Sequence, residues 1–283
     1  HQTKNDKKDL KAMKFGICNE LFENWDFVDV CKSAKAIGYD GLEIAPFTLA
    51  PLITDVSSTR RSELKKIMAD NGLECIGLHW LLAKTEGFHV TSPDPKVRQK
   101  TADYIGELAQ ACQDLGGHLM VFGSPLQRKI PSRHNGEQAR EFFVDTLNRI
   151  LPALEKTEVS FLLEPLSNQE TDFLLTSAEA CSILDDFNHP LLGLHLDVKA
   201  MSSESIPIPQ ILQNSWRHLR HFHANDSNLR GPGFGNVDFR PIFEALYNIH
   251  YPGWVSVEVF DYSPDPETIA RESMSYMKSC EPV

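Results

Sequence analysis

The chain has no long hydrophobic run. Nowhere do its apolar residues approach the roughly 20 in succession that a membrane-spanning helix needs. Its six cysteines (Cys18, Cys31, Cys75, Cys112, Cys181 and Cys280) form no Cys-x-x-Cys pair, which points away from a zinc ribbon or a disulfide framework and toward buried free thiols. Positive charge is scarce: 28 Lys and Arg against 39 Asp and Glu leave a net charge of −11. A protein so acidic lacks the basic face that nucleic acid or an anionic membrane surface requires. The Gly-x-Gly-x-x-Gly turn of a dinucleotide fold is missing after the first apolar run, and no Gly-x-x-x-x-Gly-Lys-Ser/Thr phosphate loop occurs. Gly/Ser-rich linkers and low-complexity stretches are also missing, so the 283 residues read as one domain. His1 to Ala12 is polar and Lys-rich and reads as a disordered tail, either a processed end or an expression remnant. The tail is assigned to residues 1–13 and the folded domain to 14–283, with the cytoplasm as default compartment and N-terminal processing left open.

What the chain does have is a strand–helix rhythm. Short apolar strands are expected at 14–19, 41–45, 73–79, 118–122, 158–163, 191–196, 219–223 and 254–257. Helical stretches follow each, at 27–37, 57–70, 95–115, 136–156, 177–187, 207–213, 238–248 and 264–278. Gly38, Asn71-Gly72 and Gly116-Gly117 close three of them, and Asp94 and Thr176 stand where N-caps are needed. Eight alternating pairs in this length predict an α/β fold with a parallel sheet closed as a (β/α)8 TIM barrel.

Four side chains share one address in that rhythm. Glu164 follows Val-Ser-Phe-Leu-Leu, Asp197 follows Leu-Gly-Leu-His-Leu, His223 follows Arg-His-Phe, and Glu258 follows Trp-Val-Ser-Val. All four fall at the C-terminal ends of strands five to eight, where a barrel carries its catalytic residues. Three carboxylates and an imidazole converging there repel one another unless a cation lies between them, and a divalent metal is the simplest remedy.

These residues carry a family likeness. The chain resembles the xylose isomerase-like TIM-barrel superfamily, in its sugar isomerase/epimerase branch, which includes ketose 3-epimerases. The likeness runs from about Lys14 to Lys278 and rests on Glu164-Pro-Leu with Glu170 six residues on, Leu-Asp197, Phe-His223-Ala-Asn-Asp-Ser-Asn, Gly-Pro-Gly-Phe-Gly at 231–235, and Val-Glu258-Val-Phe. The resemblance implies that Glu164, Asp197, His223 and Glu258 bind one divalent ion, commonly manganese or magnesium, with cobalt or zinc also compatible. It implies that Glu164 and Glu258 form the acid/base pair and that Glu170 touches a substrate hydroxyl. Two departures bear on the substrate rather than the metal. The family's His three residues after the Asp is Ala200 here, beside Lys199, and its Arg after strand seven is displaced by one residue to Arg230. Endonuclease IV shares the superfamily, but its additional His positions hold Ala200 and the Phe122-Gly123 turn in this chain, and the acidic charge also opposes DNA repair.

Other residues admit two readings. His79 and Trp80, at the end of strand three, line the pocket or form a hydrogen-bonded core pair. Glu43, at the end of strand two, contacts substrate or makes a structural ion pair. His195 reads as a satisfied core histidine, Arg128 as a brace for its loop, 230–235 as a tight turn, and His89 and His134 as solvent-facing. The substrate-contact set is therefore Glu170, Lys199, Arg230, His79 and Glu43. The function expected is proton abstraction α to a carbonyl through a metal-stabilised enediolate, giving epimerisation or isomerisation of a sugar or polyol-ketone. The alternatives are a dehydratase or lyase acting on an inosose or 3-keto sugar at the same site, and a non-enzymatic metal-stabilised barrel. Neither nucleic acid nor membrane is expected as a partner; a homo-oligomer is left open.

Overall fold

A computed structural model describes residues 13–282; the expected N-terminal tail, Met13 apart, lies outside the described residues. Eight strands, β1 (Lys14–Cys18), β2 (Gly41–Ile44), β3 (Glu74–Leu78), β4 (Leu119–Phe122), β5 (Ser160–Leu163), β6 (Leu192–Asp197), β7 (Leu219–Ala224) and β8 (Trp254–Val257), pair in parallel in sequence order. β1 also pairs with β8, which closes the barrel. Around it lie α1 (Phe27–Ile37), α2 (Ser58–Asp70), α3 (Pro95–Leu115), α4 (Gly136–Thr157), α5 (Ser177–Phe187), α6 (Val198–Met201), α7 (Ile208–Ser215), α8 (Phe239–Asn248) and α9 (Pro266–Cys280). The expected (β/α)8 TIM barrel is what the chain forms. None of the described helices is long and apolar enough to cross a membrane.

Local chemistry sets the helix limits. α4 and α5 open on capping boxes, Asn135 with Gln138 and Thr176 with Glu179, each satisfying two N-terminal donors. α1 ends where Gly38 takes φ +115°, letting its N–H reach the carbonyls of Ala34 and Lys35. The short α6 was not foreseen. It forms because Asp197, the last residue of β6, caps it by accepting from the Ala200 N–H at 2.8 Å.

Strand alternation sorts side chains into two cores. Outward-facing residues such as Phe122 and Phe161 pack against the helices, with Phe143 of α4 stacked on Phe122 at 5.8 Å. Inside, Ile76, Leu119, Val121, Leu162 and Trp254 form a separate apolar plug. Glycine makes room for it: a Cβ on Gly16 would stand 2.3 Å from Ile76 Cδ1. Polar side chains occupy the rest of the interior, toward the C-terminal ends of the strands.

Candidate metal centre and active site

The register of the last strands brings the four predicted residues together. A bulge between Leu194 and His195 sets His195 beside His221 and Asp197 beside His223. His223 in turn lies beside Ser256, so Glu258 emerges next to it. Glu164, Asp197, His223 and Glu258 each present one donor atom, all within 4.8 Å of one another. All four are buried. Gly123 gives Glu164 its space: a Cβ there would lie 2.5 Å from Oε2.

Each donor is held from behind. His223 Nε2 donates to Glu43 Oε1 at 2.8 Å, and His221 Nε2 donates to Glu43 Oε2 at the same distance. A carboxylate only accepts, so both protons sit on Nε2. That leaves His223 Nδ1 without a hydrogen-bond partner, 3.0 Å from Glu258 Oε2. Asp197 Oδ2 accepts from Asn225 at 2.6 Å, and Glu258 Oε1 accepts from the Trp80 indole N–H at 2.7 Å. Arg128, fully buried, donates to four backbone carbonyls, those of Gly123, Glu164, Phe173 and Leu174. It was expected to brace its own loop, which it does only at Gly123; its other three bonds tie that loop to the segment after β5.

The electrostatics record crowded like charge. Burial, with Glu258 and Asp197 adding to it, pushes Glu164 well above the usual carboxylate range. Burial and Glu258 raise Asp197 to about 6. Burial also works against Glu258, but His223 outweighs it and holds that carboxyl near about 2. His223 is lowered by burial yet ends well above its ordinary value because Glu43 and Glu258 face it. Protons on Glu164 and on His223 Nδ1, which faces Glu258, thus balance the charge that a divalent ion would balance instead, and such an ion would take the place of the Nδ1 proton and free its lone pair. The donor set fits such an ion: three carboxylates, one imidazole with its Nδ1 unpartnered, and a carboxylate behind that imidazole.

A cavity of about 220 Å³ opens on this cluster. That is smaller than the range of roughly 300–1,000 Å³ typical of drug-sized ligands. His79, Trp80, Glu164, Glu170, Lys199 and Glu258 line it. The Lys199 ammonium bonds Glu170 at 2.6 Å and rests over the Phe260 ring at 4.3 Å. Burial opposes its charge, but Asp197 and Glu170 keep its pKa above the ordinary value.

Two expected substrate contacts stand elsewhere. Glu43 is wholly buried among His221, His223 and His79 and lines no part of the cavity, because strand alternation turns it inward below the rim. Arg230 is drawn aside by the Ser263 carbonyl, to which it donates at 2.5 Å, and lies over Phe234. His195 is not a satisfied core histidine: it is buried with neither ring nitrogen hydrogen-bonded, 3.7 Å from Glu164. His89 and His134 are half-buried rather than solvent-facing, His89 against Thr91 and His134 against Phe142. His79 unites both readings, lining the cavity while bonding Glu20 at 2.6 Å. The segment after Arg230 turns tightly around Asp226, which accepts from the Val237 N–H. Phe260, Asn225 and Glu20 had not been singled out. Phe260 stands two residues beyond Glu258 and Asn225 two beyond His223, so period-two alternation was a usable signal for both.

Fold and site together define a (β/α)8 barrel with a candidate divalent-metal centre at the C-terminal rim. The chain matches the family model described as "Xylose isomerase-like TIM barrel" over residues 31–280, and it belongs to that family. It is 25% identical to the "Probable ketose 3-epimerase" of Synechocystis sp., covering 94% of this chain and 96% of that one. It is 27% identical to the "D-psicose 3-epimerase" of Ruminiclostridium cellulolyticum, over 88% and 84%. The crystal structure of 3-keto-D-glucoside 4-epimerase from E. coli superposes with a TM-score of 0.83 at 22% identity, covering 95% of this chain and 100% of that one. These relatives are sugar epimerases, and the chain stands among enzymes of the isomerase class.

Proposed function

We propose that this chain is a metal-dependent sugar epimerase or isomerase that moves the proton on a carbon next to a carbonyl. The observation that carries the reading is the gathering of Glu164, Asp197, His223 and Glu258 within 4.8 Å, with Glu164 and Glu258 in the wall of a cavity sized for a small ligand. A set of oxygens plus one imidazole suits manganese or magnesium. When bound, such an ion supplies Lewis acidity to the charge that grows on the carbonyl oxygen during proton loss.

The chain's own residues do the rest. Glu164 comes from β5 and Glu258 from β8, so their carboxylates approach a bound sugar from different strands. One takes the proton; the other returns a proton to the opposite face. Each such group contributes on the order of 10²–10⁴ in rate. Trp80 aims Glu258, and Glu170 with Lys199 offers an acceptor and a donor to sugar hydroxyls. Phe260 and Trp80 add apolar surface that limits water around the reacting carbon.

A second reading, elimination of water, is favoured by one observation: the Lys199 ammonium, held protonated, lines the cavity where a leaving hydroxyl would need a proton. Incubation with ketoses and manganese in D₂O separates the two. Deuterated epimer or isomer supports the first, a dehydrated product the second. Loss of turnover in Glu164→Gln and Glu258→Gln, with the fold retained, is expected in either case; retained turnover removes that residue from the acid/base pair.

A further inference from the structure

A larger cavity, of about 700 Å³, lies beside the metal centre. Its wall comes mainly from the segment between β1 and α1, with Phe47 from the loop after β2 and Tyr262 from the loop after β8. Trp80 and Lys84 line both this cavity and the smaller one. Trp80 holds φ +54°, a left-handed conformation that a bulky side chain adopts only under constraint. In that pose it donates to Glu258 on one side and meets the Phe47 ring edge-on, centroids 6.0 Å apart, on the other.

Glu20 lines the larger cavity, and its side chain is only 2% exposed. Oε2 bonds His79, but Oε1 has no hydrogen-bond partner. That oxygen is shielded from the cavity, so Glu20 contributes negative charge to the wall rather than an open acceptor. The rest of the lining says what kind of ligand the cavity suits. Trp25, Phe47 and Tyr262 bring aromatic surface, and Asn19, Glu23 and Thr48 bring side chains that bond hydroxyls. Three acidic residues, Glu20, Glu23 and Asp26, face the cavity against Lys84 and Arg60, and Arg60 is paired with Glu63 at 3.1 Å. That balance disfavours a phosphate and suits a neutral polyol whose C–H faces lie on the rings.

We propose that the larger cavity is a subsite for a second, neutral sugar ring, so that the substrate is a disaccharide or glycoside rather than a free monosaccharide. The proposal rests on the sugar-epimerase reading of the smaller cavity. One ring sits at Glu164 and Glu258, the glycosidic link passes the edge of Trp80, and the second ring lies on the aromatic surface of Trp25, Phe47 and Tyr262.

Binding tests this without turnover. The manganese-loaded Glu164→Gln protein is titrated calorimetrically with fructose and with turanose, maltulose and palatinose, which carry a glucose on different fructose hydroxyls. At least one disaccharide is expected to bind about tenfold or more tighter than fructose. In the same background, Trp25→Ala or Phe47→Ala should bring the ratio of the two affinities close to one. Trp25 is partly exposed, so its replacement leaves the fold standing. Equal affinities for fructose and every disaccharide, or a ratio that survives both substitutions, overturns the subsite. Deuterium exchange by the unmodified enzyme is run beside it: its failure counts against the metal-site chemistry, whereas the affinity ratio alone decides the second ring.

Discussion

Glu43 Oε1 accepts a 2.8 Å hydrogen bond from His223 Nε2 across the barrel interior, although β2 and β7 are not neighbours in the sheet. This contact fixes which imidazole nitrogen keeps its proton. It turns Nδ1 toward Glu164, Asp197 and Glu258, where that atom would give up its proton to share an ion.

Replacing Glu43 by Gln removes one of the two acceptors and sets an amide N–H₂ against an imidazole N–H. Manganese affinity is expected to fall about 10–100-fold. Calorimetric titration of the purified variant measures it, and unchanged affinity would show that the ring needs no such orientation.

Metal binding should weaken with acid. Asp197 titrates near about 6 and Glu164 well above the usual carboxylate range, chiefly because burial disfavours their charge. Both must lose protons to hold a cation. Because their folded-state pKa values lie above the unfolded ones, the metal-free protein is helped by protonation at low pH and loses that stability as pH rises through the folded values. The gain in Tm from manganese is therefore expected to be small near pH 5 and large near about pH 7.5. Equal gains at both values would contradict the carboxylate ligand set.

Trp80→Phe keeps most of the aromatic surface but deletes the N–H that aims Glu258. A hydrogen bond to a charged group contributes about 1.5–3 kcal/mol, so kcat should fall roughly tenfold or more. Steady-state kinetics on the deuterium-exchange substrate checks this; a kcat equal to that of the unmodified enzyme means Glu258 is held by other contacts.

Arg128 is pulled down to about 10 by burial, with Glu164 resisting the shift, and stays charged at neutral pH. Lysine cannot reproduce its planar fork toward four carbonyls. Arg128→Lys should destabilise the fold by about 3 kcal/mol, read as a lower urea midpoint with an unchanged slope. A midpoint within error of the parent would leave the brace without energetic weight.

The barrel and its four clustered acidic and imidazole residues were legible because both are written locally. Each strand is a short apolar run, and each of the four residues stands at or just past the end of one, so periodicity alone placed them. Phe260 and Asn225 could have been added by the same alternation. Of the two readings open for Glu43 the structure realises the ion pair, because the register shift between Leu42 and Glu43 leaves it facing His79, His221 and His223 inside the barrel. Arg230 and Glu20 were beyond reach of pattern: one is set by the Ser263 carbonyl and the other by His79, each from a distant loop.

By itself the sequence determined the alternation of strands and helices and which acidic and imidazole groups end up at one rim, since nearest-neighbour periodicity encodes both. Tertiary structure decided the proton on His223, the donor to Glu258, the brace around Arg128 and the second cavity behind Trp80. Those depend on residues far apart in the chain, Glu43 and His223 by 180 positions, and they meet only when β1 pairs with β8 and the interior closes.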